Sequence, residues 1–367
     1  NKNMIYLLSF IVVIGLPVFL HELGHFLAAR SVGIKVEKFY IGFNLFGLGL
    51  KKKIKETEYG IGLFPLGGYV KVAGILDESM NQDYSGKDYE FRSKNVFQKV
   101  WFLSAGVLMN FILSSFIFGL FTFSNGIPEI INEPIINEVV ESIGEEENKS
   151  PAYLAGVKSN DRIISINSIE VNTWDDLAAT IHSNPNKNIN LVIEREGQIY
   201  NKELLTGSTT QYKNGKLYEV GIIGIMPQFN IIEVGFLKSI INGIEQTYLW
   251  IERMLSSLYA LITGNISLDQ LSGPLGIATV AGDTAQSGGF LALLMLMAII
   301  SVNLGIINIL PIPGLDGGHV FIALIEGVIR KELPLKVKYG IQTFGFILLM
   351  TLFIFVFYND IRNLLIN

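Results

Sequence analysis

Residues 4–30 read MIYLLSFIVVIGLPVFLHELGHFLAAR, and their reading decides the architecture. A helix needs about 20 mostly apolar residues to cross the roughly 30 Å hydrocarbon core of a bilayer. Met4–Leu20 falls slightly short of that and runs straight into His21, Glu22 and His25 before Arg30 closes it. An acid at the centre of a spanning helix costs about 2.5–3.5 kcal/mol on insertion scales, so ionisable residues there are rare and usually functional. Three further runs, Val100–Asn125, Phe290–Pro311 and Tyr339–Tyr358, contain no Asp, Glu, Lys or Arg. The expectation is a polytopic α-helical membrane protein with four transmembrane helices. A cleavable leader is the alternative for the N-terminal run, with Ala28-Ala29 as its small-residue site. Such leaders have shorter apolar cores and lack acid and imidazole there.

Working outward, composition agrees. Half of the 367 residues are hydrophobic, only 17% are charged and the mean hydropathy is +0.42, against about a quarter charged in ordinary globular chains. The chain has no cysteine, which excludes disulfides, thiolate zinc sites, iron–sulfur clusters and cysteine nucleophiles. Any metal is held by nitrogen and oxygen. The net charge of −5 gives no concentrated basic field, so no nucleic-acid partner is expected.

The charges are unevenly placed. Residues 31–99 hold eleven Lys plus Arg, including Lys51-Lys52-Lys53, and the short connection around Arg330, Lys331, Lys336 and Lys338 is basic too. Residues 124–289 carry twenty Asp plus Glu against ten Lys plus Arg. The positive-inside rule then puts the two basic regions in the cytoplasm, the acidic block outside and both termini outward.

Between the first two spans, Tyr59–Val72 alternates around Pro65-Leu66-Gly67-Gly68 and reads as a β-hairpin. An apolar hairpin enters a membrane only where it is buried in protein or lines a cavity. Phe91–Lys99, with apolar Phe91, Val96 and Phe97 among polar neighbours, reads as a short interfacial helix. Beyond the acidic block, Gln211–Lys216 reads as a polar loop, Leu217–Met226 as a closing strand, and Ile232–Ile262 as a long amphipathic helix with Glu245, Glu252 and Arg253 on its polar side.

His21-Glu22-Leu23-Gly24-His25 is H-E-x-x-H on a helix. Residues i and i+4 share a face, so both imidazoles reach one metal ion while Glu22 sits beside the vacant coordination position. A catalytic zinc takes three protein ligands and keeps one position for water. The conspicuous source of the third ligand is Asn308-Ile-Leu-Pro-Ile-Pro-Gly-Leu-Asp316-Gly-Gly318, where two prolines break the third span and two glycines permit close backbone approach. This presents Asp316 on irregular chain at membrane depth, a condition tolerated only around a buried or wet cavity. His319, three residues on, is a weaker candidate, and His182 reads as a surface or partly buried residue.

These residues carry a resemblance. H-E-x-x-H in the first span, with N-x-x-P-x-P-x-L-D-G-G in the third, resembles the site-2 protease family of intramembrane zinc metalloproteases. Phe64-Pro-Leu-Gly-Gly-Tyr-Val-Lys71 and the block between spans two and three bring it closer to the bacterial RseP type, whose name denotes regulation of sigma-E. Ser150–Leu205 resembles a single PDZ domain of the bacterial protease kind, with Asn160 and Ser168 where that pattern has glycine. The organisation implied is 1–30, first span; 31–99, cytoplasmic segment with a membrane-dipping hairpin at about 58–72 and an interfacial helix; 100–125, second span; 126–230, extracytoplasmic PDZ domain; 231–288, amphipathic helix and linker; 289–331, third span; and 336–367, fourth span.

The resemblance implies that His21, His25 and Asp316 bind Zn2+, that Glu22 is general base and later proton donor, and that Asn308 polarises the substrate carbonyl or holds the substrate strand. It implies that Gly67, Gly68, Tyr69, Val70 and Lys71 pair with substrate, and that Ser272–Ala278 matches a segment before the third span. The implied substrates are single-span membrane proteins of the anti-sigma-factor or remnant-signal-peptide type, in the cytoplasmic membrane of a bacterium. The active site would face the cytoplasmic side, and the PDZ domain would take a peptide ligand and restrict access to bulky ectodomains. Val107 stands where the family has proline, and no role is assigned to Asn110. Two rival classes are a PDZ-bearing membrane adaptor with a structural metal, which has no need of Glu22, and a metal transporter, which has no need of a PDZ domain.

Overall fold

The apolar run and the H-E-x-x-H sequence form one unbroken helix, α1 (Lys2–Ser31), about 45 Å long at 1.5 Å per residue. The computed structural model describes residues 2–43, 49–62, 64–75, 86–143, 149–213 and 216–366. These form two units, Asn1–Ser124 with Gly235–Asn367, and Asn125–Val234.

In the first unit α1 leads into four strands, β1 (Val36–Phe43), β2 (Gly49–Ile54), β3 (Thr57–Gly62) and β4 (Phe64–Val72). Their order is β2-β3-β1-β4, with β1 parallel to β3 and antiparallel to β4. The hairpin expected over Tyr59–Val72 is therefore corrected. Its halves lie on either side of β1 and do not pair, while the hairpin actually formed is β2–β3; Leu63 lies outside the described residues. Tyr40 of β1 explains the insertion. Its ring occupies the space a side chain at Gly60 would need, stacks on Tyr69 at 5.0 Å, and its hydroxyl donates to Glu58 at 2.6 Å. The sheet packs on α1 through Phe39, which meets Phe19 and Phe26 edge-on.

The interfacial helix expected over Phe91–Lys99 is also corrected. A single 3₁₀ turn, Phe91–Ser93, is followed by α2 (Val96–Asn125). Asn95 and Gln98 bond reciprocally, each side chain accepting from the other's backbone N–H (2.9 and 3.2 Å), and this capping box starts α2 at Val96.

In the second unit β5 (Ile127–Ile130), β6 (Ile136–Val139), α3 (Pro151–Leu154), β7 (Arg162–Ile166), β8 (Ile169–Glu170), α4 (Trp174–His182), β9 (Asn188–Arg195) and β10 (Gln198–Leu205) follow in order. They are completed by β11 (Gly207–Lys213), β12 (Lys216–Ile222), β13 (Ile225–Pro227) and β14 (Phe229–Ile232). β10-β9-β7-β8 form one sheet, whose inward residues Ile163, Ile166, Ile189, Leu191 and Ile193 make a core with Leu177 and Ile181 of α4. Thr173 and Asp176 cap α4 reciprocally. Buried Asp161 is held by two bonds from Arg195 (2.6 and 2.7 Å) and one from the Lys158 N–H (2.8 Å). Asn160 and Ser168 adopt φ of 67° and 65°, the left-handed geometry that glycine reaches most cheaply. The polar loop expected over Gln211–Lys216 is instead largely strand in the β11–β12 hairpin, with Asn214 and Gly215 outside the described residues. The single closing strand expected over Leu217–Met226 is two, β12 and β13, which pair with different partners.

The first unit resumes with α5 (Phe236–Ile262), α6 (Pro274–Ile309), α7 (Asp316–Ile329) and α8 (Leu335–Ile366). Among the described residues four helices, α1, α2, α6 and α8, are long and apolar enough to cross a membrane. Lipid tails are as apolar as leucine, so small residues and interhelical hydrogen bonds join such helices. Accordingly, the Ser114 hydroxyl donates to the Ala298 carbonyl (2.8 Å) and the Ser301 hydroxyl to that of Asn110 (2.9 Å), tying α2 to α6. α5 packs on α2 in the same way, with Ser239, Gly243 and Thr247 against Ser115 and Gly119, and the Thr122 hydroxyl donating to Asn242 Oδ1 (2.8 Å). Phe236, Leu237, Ile240, Ile244 and Tyr248 of α5 stay exposed.

The expected third span, 289–331, is two helices. α6 begins earlier, bends at Gly289 (φ 65°) and stops at Ile309 before Pro311 and Pro313. α7 then starts at Asp316, so Asp316 stands in a first helical turn rather than on irregular chain. The pair Gly317-Gly318 makes this return possible, because a Cβ on either would lie 2.1–2.3 Å from the carbonyl oxygens of Ile309 or Ile312. At the other end of α6, the buried Asp360 of α8 accepts from the N–H groups of Gly273, Leu275 and Gly276 (2.9, 2.9 and 3.2 Å).

Candidate metal centre

His21 and His25 lie one turn apart on α1, both buried, with their Nε2 atoms 3.1 Å from one another. Oδ2 of Asp316, at the start of α7, is 2.9 Å from the first and 3.1 Å from the second. Residues 295 and 291 positions apart in sequence thus present three ligand atoms at mutual distances near 3 Å. A tetrahedral ion with bonds of about 2.0–2.1 Å needs ligand atoms about 3.3 Å apart. Among the described residues these three form the group able to hold a metal; His319 lines the same cavity without joining the group.

The surroundings fit a metal. Gly106 of α2 faces the two imidazoles, and a Cβ there would stand 2.5 Å from Nε2 of His25 and 2.7 Å from Nε2 of His21. A single missing methyl therefore leaves the space beside both ligand nitrogens. Nδ1 of His25 is 2.8 Å from the Phe102 carbonyl, to which its N–H donates, leaving the Nε2 lone pair for an ion. The donors are imidazole and carboxylate with no sulfur, a set that suits zinc and several other divalent ions. α1 and α2 approach closely because Gly24 meets the Ala105 carbonyl, where a Cβ would be 2.4 Å away.

His21, Glu22, His25 and Asp316 line a cavity of about 380 Å³. Tyr69 and Val70 of β4 line it from one side and Gln342 and Phe346 of α8 from another. The Val70 N–H donates to the Glu22 carboxylate, and Gly68 approaches so closely that a Cβ there would be 3.1 Å from Cγ of Glu22. Burial, followed by the charge of Glu58, pushes the Tyr69 phenol up. Gly67 and Lys71 belong to the same strand but do not line the cavity. Asn308 stands half-buried in the last turn of α6, also outside the lining.

Sequence reasoning singled out His21, His25, Asp316 and Glu22, which the structure brings together, but missed their support on α2. Phe102, Gly106 and Asn110 are spaced i, i+4, i+8 and form one stripe toward the histidines. That spacing was available in the sequence, as the same arithmetic that pairs His21 with His25.

Comparison with known proteins agrees with this geometry. The model of Peptidase family M50 matches residues 9–352. The zinc metalloprotease RasP of Geobacillus kaustophilus is 32% identical over 430 aligned positions, covering 97% of this chain and 98% of the relative. A Clostridium acetobutylicum protein provisionally named a zinc metalloprotease is 35% identical over 352, covering 96% of each. RasP of Bacillus licheniformis is 28% identical over 434, covering 97% of this chain and 99% of the relative. With nearly the whole chain matched, and a His-His-Asp group where a metal fits, the chain belongs to peptidase family M50, the site-2 proteases, and is a zinc metalloprotease of that type.

Proposed function

We propose that the chain hydrolyses peptide bonds in the membrane segments of single-span proteins, the class that includes anti-sigma factors and remnant signal peptides. The observation that carries this is the convergence of His21, His25 and Asp316 at the space left by Gly106, with Glu22 beside the same cavity. In this reading His21, His25 and Asp316 hold zinc. Bound there, zinc lowers the pKa of water toward about 7 and polarises the scissile carbonyl. Glu22 accepts the proton of the attacking water and returns it to the leaving amine. Val70, Leu349 and Phe346, with the ring of Tyr69, give the same cavity a largely apolar wall.

A substrate helix has its amides bonded internally and must be unwound before attack, and an unpaired amide in lipid costs several kcal/mol. β4 is an edge strand of its sheet, beside Glu22. Its Gly67–Lys71 segment replaces the lost bonds by strand addition. Asn308 keeps a supporting role at the end of α6, toward the substrate strand.

Lys51–Lys53 and the Arg330–Lys338 connection favour a cytoplasmic position for the metal end of α1, and the acidic block an extracytoplasmic position for residues 126–230. We read the second unit as a PDZ domain. Its element order and the left-handed turns at Asn160 and Ser168 support this, as does a groove of about 590 Å³ between α4 and Gly221–Pro227, suited to an extended peptide. The exposed apolar side chains of α5 fit lipid contact.

The test uses the full chain in proteoliposomes with a single-span reporter peptide. Glu22→Gln is expected to keep zinc and lose about 10²–10⁴-fold in cleavage rate. Cleavage at the wild-type rate by zinc-loaded E22Q would overturn the assignment.

A further inference from the structure

One buried polar side chain beside the site has no part in this mechanism. Asn110, in the middle of α2, is 0% exposed. Its side-chain amide nitrogen lies 3.1 Å from Nδ1 of His21, and its Oδ1 has no hydrogen-bond partner among the described residues. The Asn110 backbone carbonyl accepts from the hydroxyls of Ser114 (3.0 Å) and Ser301 (2.9 Å), bonds that do not involve its side chain. A buried amide oxygen with an unmet bond is costly, and helix packing through small residues and interhelical hydrogen bonds leaves that oxygen unexplained.

The chemistry of the neighbouring imidazole supplies a reason. A histidine that ligates through Nε2 carries its remaining hydrogen on Nδ1 and needs an acceptor there. His25 finds one in the Phe102 carbonyl. Among the described residues only the Asn110 amide lies at Nδ1 of His21. A half-turn of that amide exchanges its oxygen and nitrogen with almost no change of shape and sets Oδ1 against Nδ1.

We infer that Asn110 is a positioning residue of the zinc site, accepting the His21 Nδ1–H through Oδ1 and so fixing the tautomer whose Nε2 lone pair faces the metal. This rests on the reading that His21, His25 and Asp316 hold zinc. The i, i+4, i+8 stripe of α2 then has one plan: a carbonyl acceptor for His25 at Phe102, space for the ion at Gly106, and a side-chain acceptor for His21 at Asn110.

The experiment measures zinc affinity of the purified full chain by competition with a chelator, independently of cleavage. The proteins compared are wild type, H21A, N110L, N110A, N110D and S301A. N110L and the smaller N110A are expected to weaken zinc binding about 10–100-fold, the usual cost of losing a partner of a metal-bound histidine. N110D, which restores an oxygen acceptor, is expected to recover most of that loss, and S301A to bind as wild type. Wild type without zinc, or H21A with undiminished affinity, overturns the ligand reading itself. With those two as expected, N110L and N110A binding as tightly as wild type overturns the role of Asn110. So does N110D binding no better than N110L, or S301A weakened as much as N110L, since either makes the loss one of packing.

Discussion

Replacing Gly106 by alanine adds one methyl at the place where the account needs a metal ion. The new Cβ would start 2.5 Å from Nε2 of His25 and 2.7 Å from Nε2 of His21, whereas ordinary contacts begin at 3.4 Å. Relief of the first contact alone needs a movement of about 0.9 Å. The imidazoles have little room to give it, since both are buried, His25 is bonded to the Phe102 carbonyl, and α1 is pressed onto α2 at Gly24. A misplacement of about 1 Å in catalytic geometry costs roughly 100-fold in rate. Here the methyl also takes up space beside both ligand nitrogens, so zinc content should fall together with cleavage. The assay is zinc per chain by elemental analysis, with cleavage of a spanning reporter and circular dichroism to confirm folding. Gly340→Ala is the control, because a Cβ at Gly340 of α8 meets nothing within 4 Å, and it should leave all three readings unchanged. A folded G106A protein with full zinc and wild-type cleavage would refute the reasoning.

Two further outcomes follow from the supporting structure. Asp360→Ala removes the carboxylate that accepts from three N–H groups at the start of α6 and should cost about 3 kcal/mol, hydrogen bonds to charged groups being the stronger kind; a thermal midpoint equal to wild type contradicts this. The Tyr40 hydroxyl is the first cause holding the Glu58 carboxyl below its usual range. A lowered folded pKa contributes stability above the ordinary carboxylate value of about 4.3 and loses it as pH falls through the folded value. The advantage of wild type over Tyr40→Phe should therefore be larger at pH 7 than at about pH 3, and thermal unfolding at the two pH values checks it.

The sequence made the spans and the chemical residues legible because both signals are local. Charge-free runs of span length mark α1, α2, α6 and α8 whatever packs against them, and H-E-x-x-H places its imidazoles on one face by helix geometry alone. Asp316 stood out because two prolines before it break the helix and two glycines after it permit close backbone approach. Pairing was less legible. Alternation in Tyr59–Val72 revealed strands but not partners, and the partner of both halves, β1, lies upstream, held between them by Tyr40 filling the place left at Gly60. The apolar spacing of Phe91–Lys99 does not show where α2 starts; the reciprocal bonds of Asn95 and Gln98 do. The spacing puts Asn110 on the stripe of Phe102 and Gly106, but its role depends on His21, 89 residues away on another helix.

The central claim is that two imidazoles and one carboxylate, drawn from the two ends of the chain, hold one zinc ion. X-ray absorption at the zinc edge of the purified full chain tests it most directly. The expected result is a four-coordinate ion with nitrogen and oxygen donors at about 2.0–2.2 Å, two imidazoles in the pattern, and loss of the ion in Asp316→Ala. An ion bound by fewer than two imidazoles, or one that survives unchanged in D316A, would contradict it.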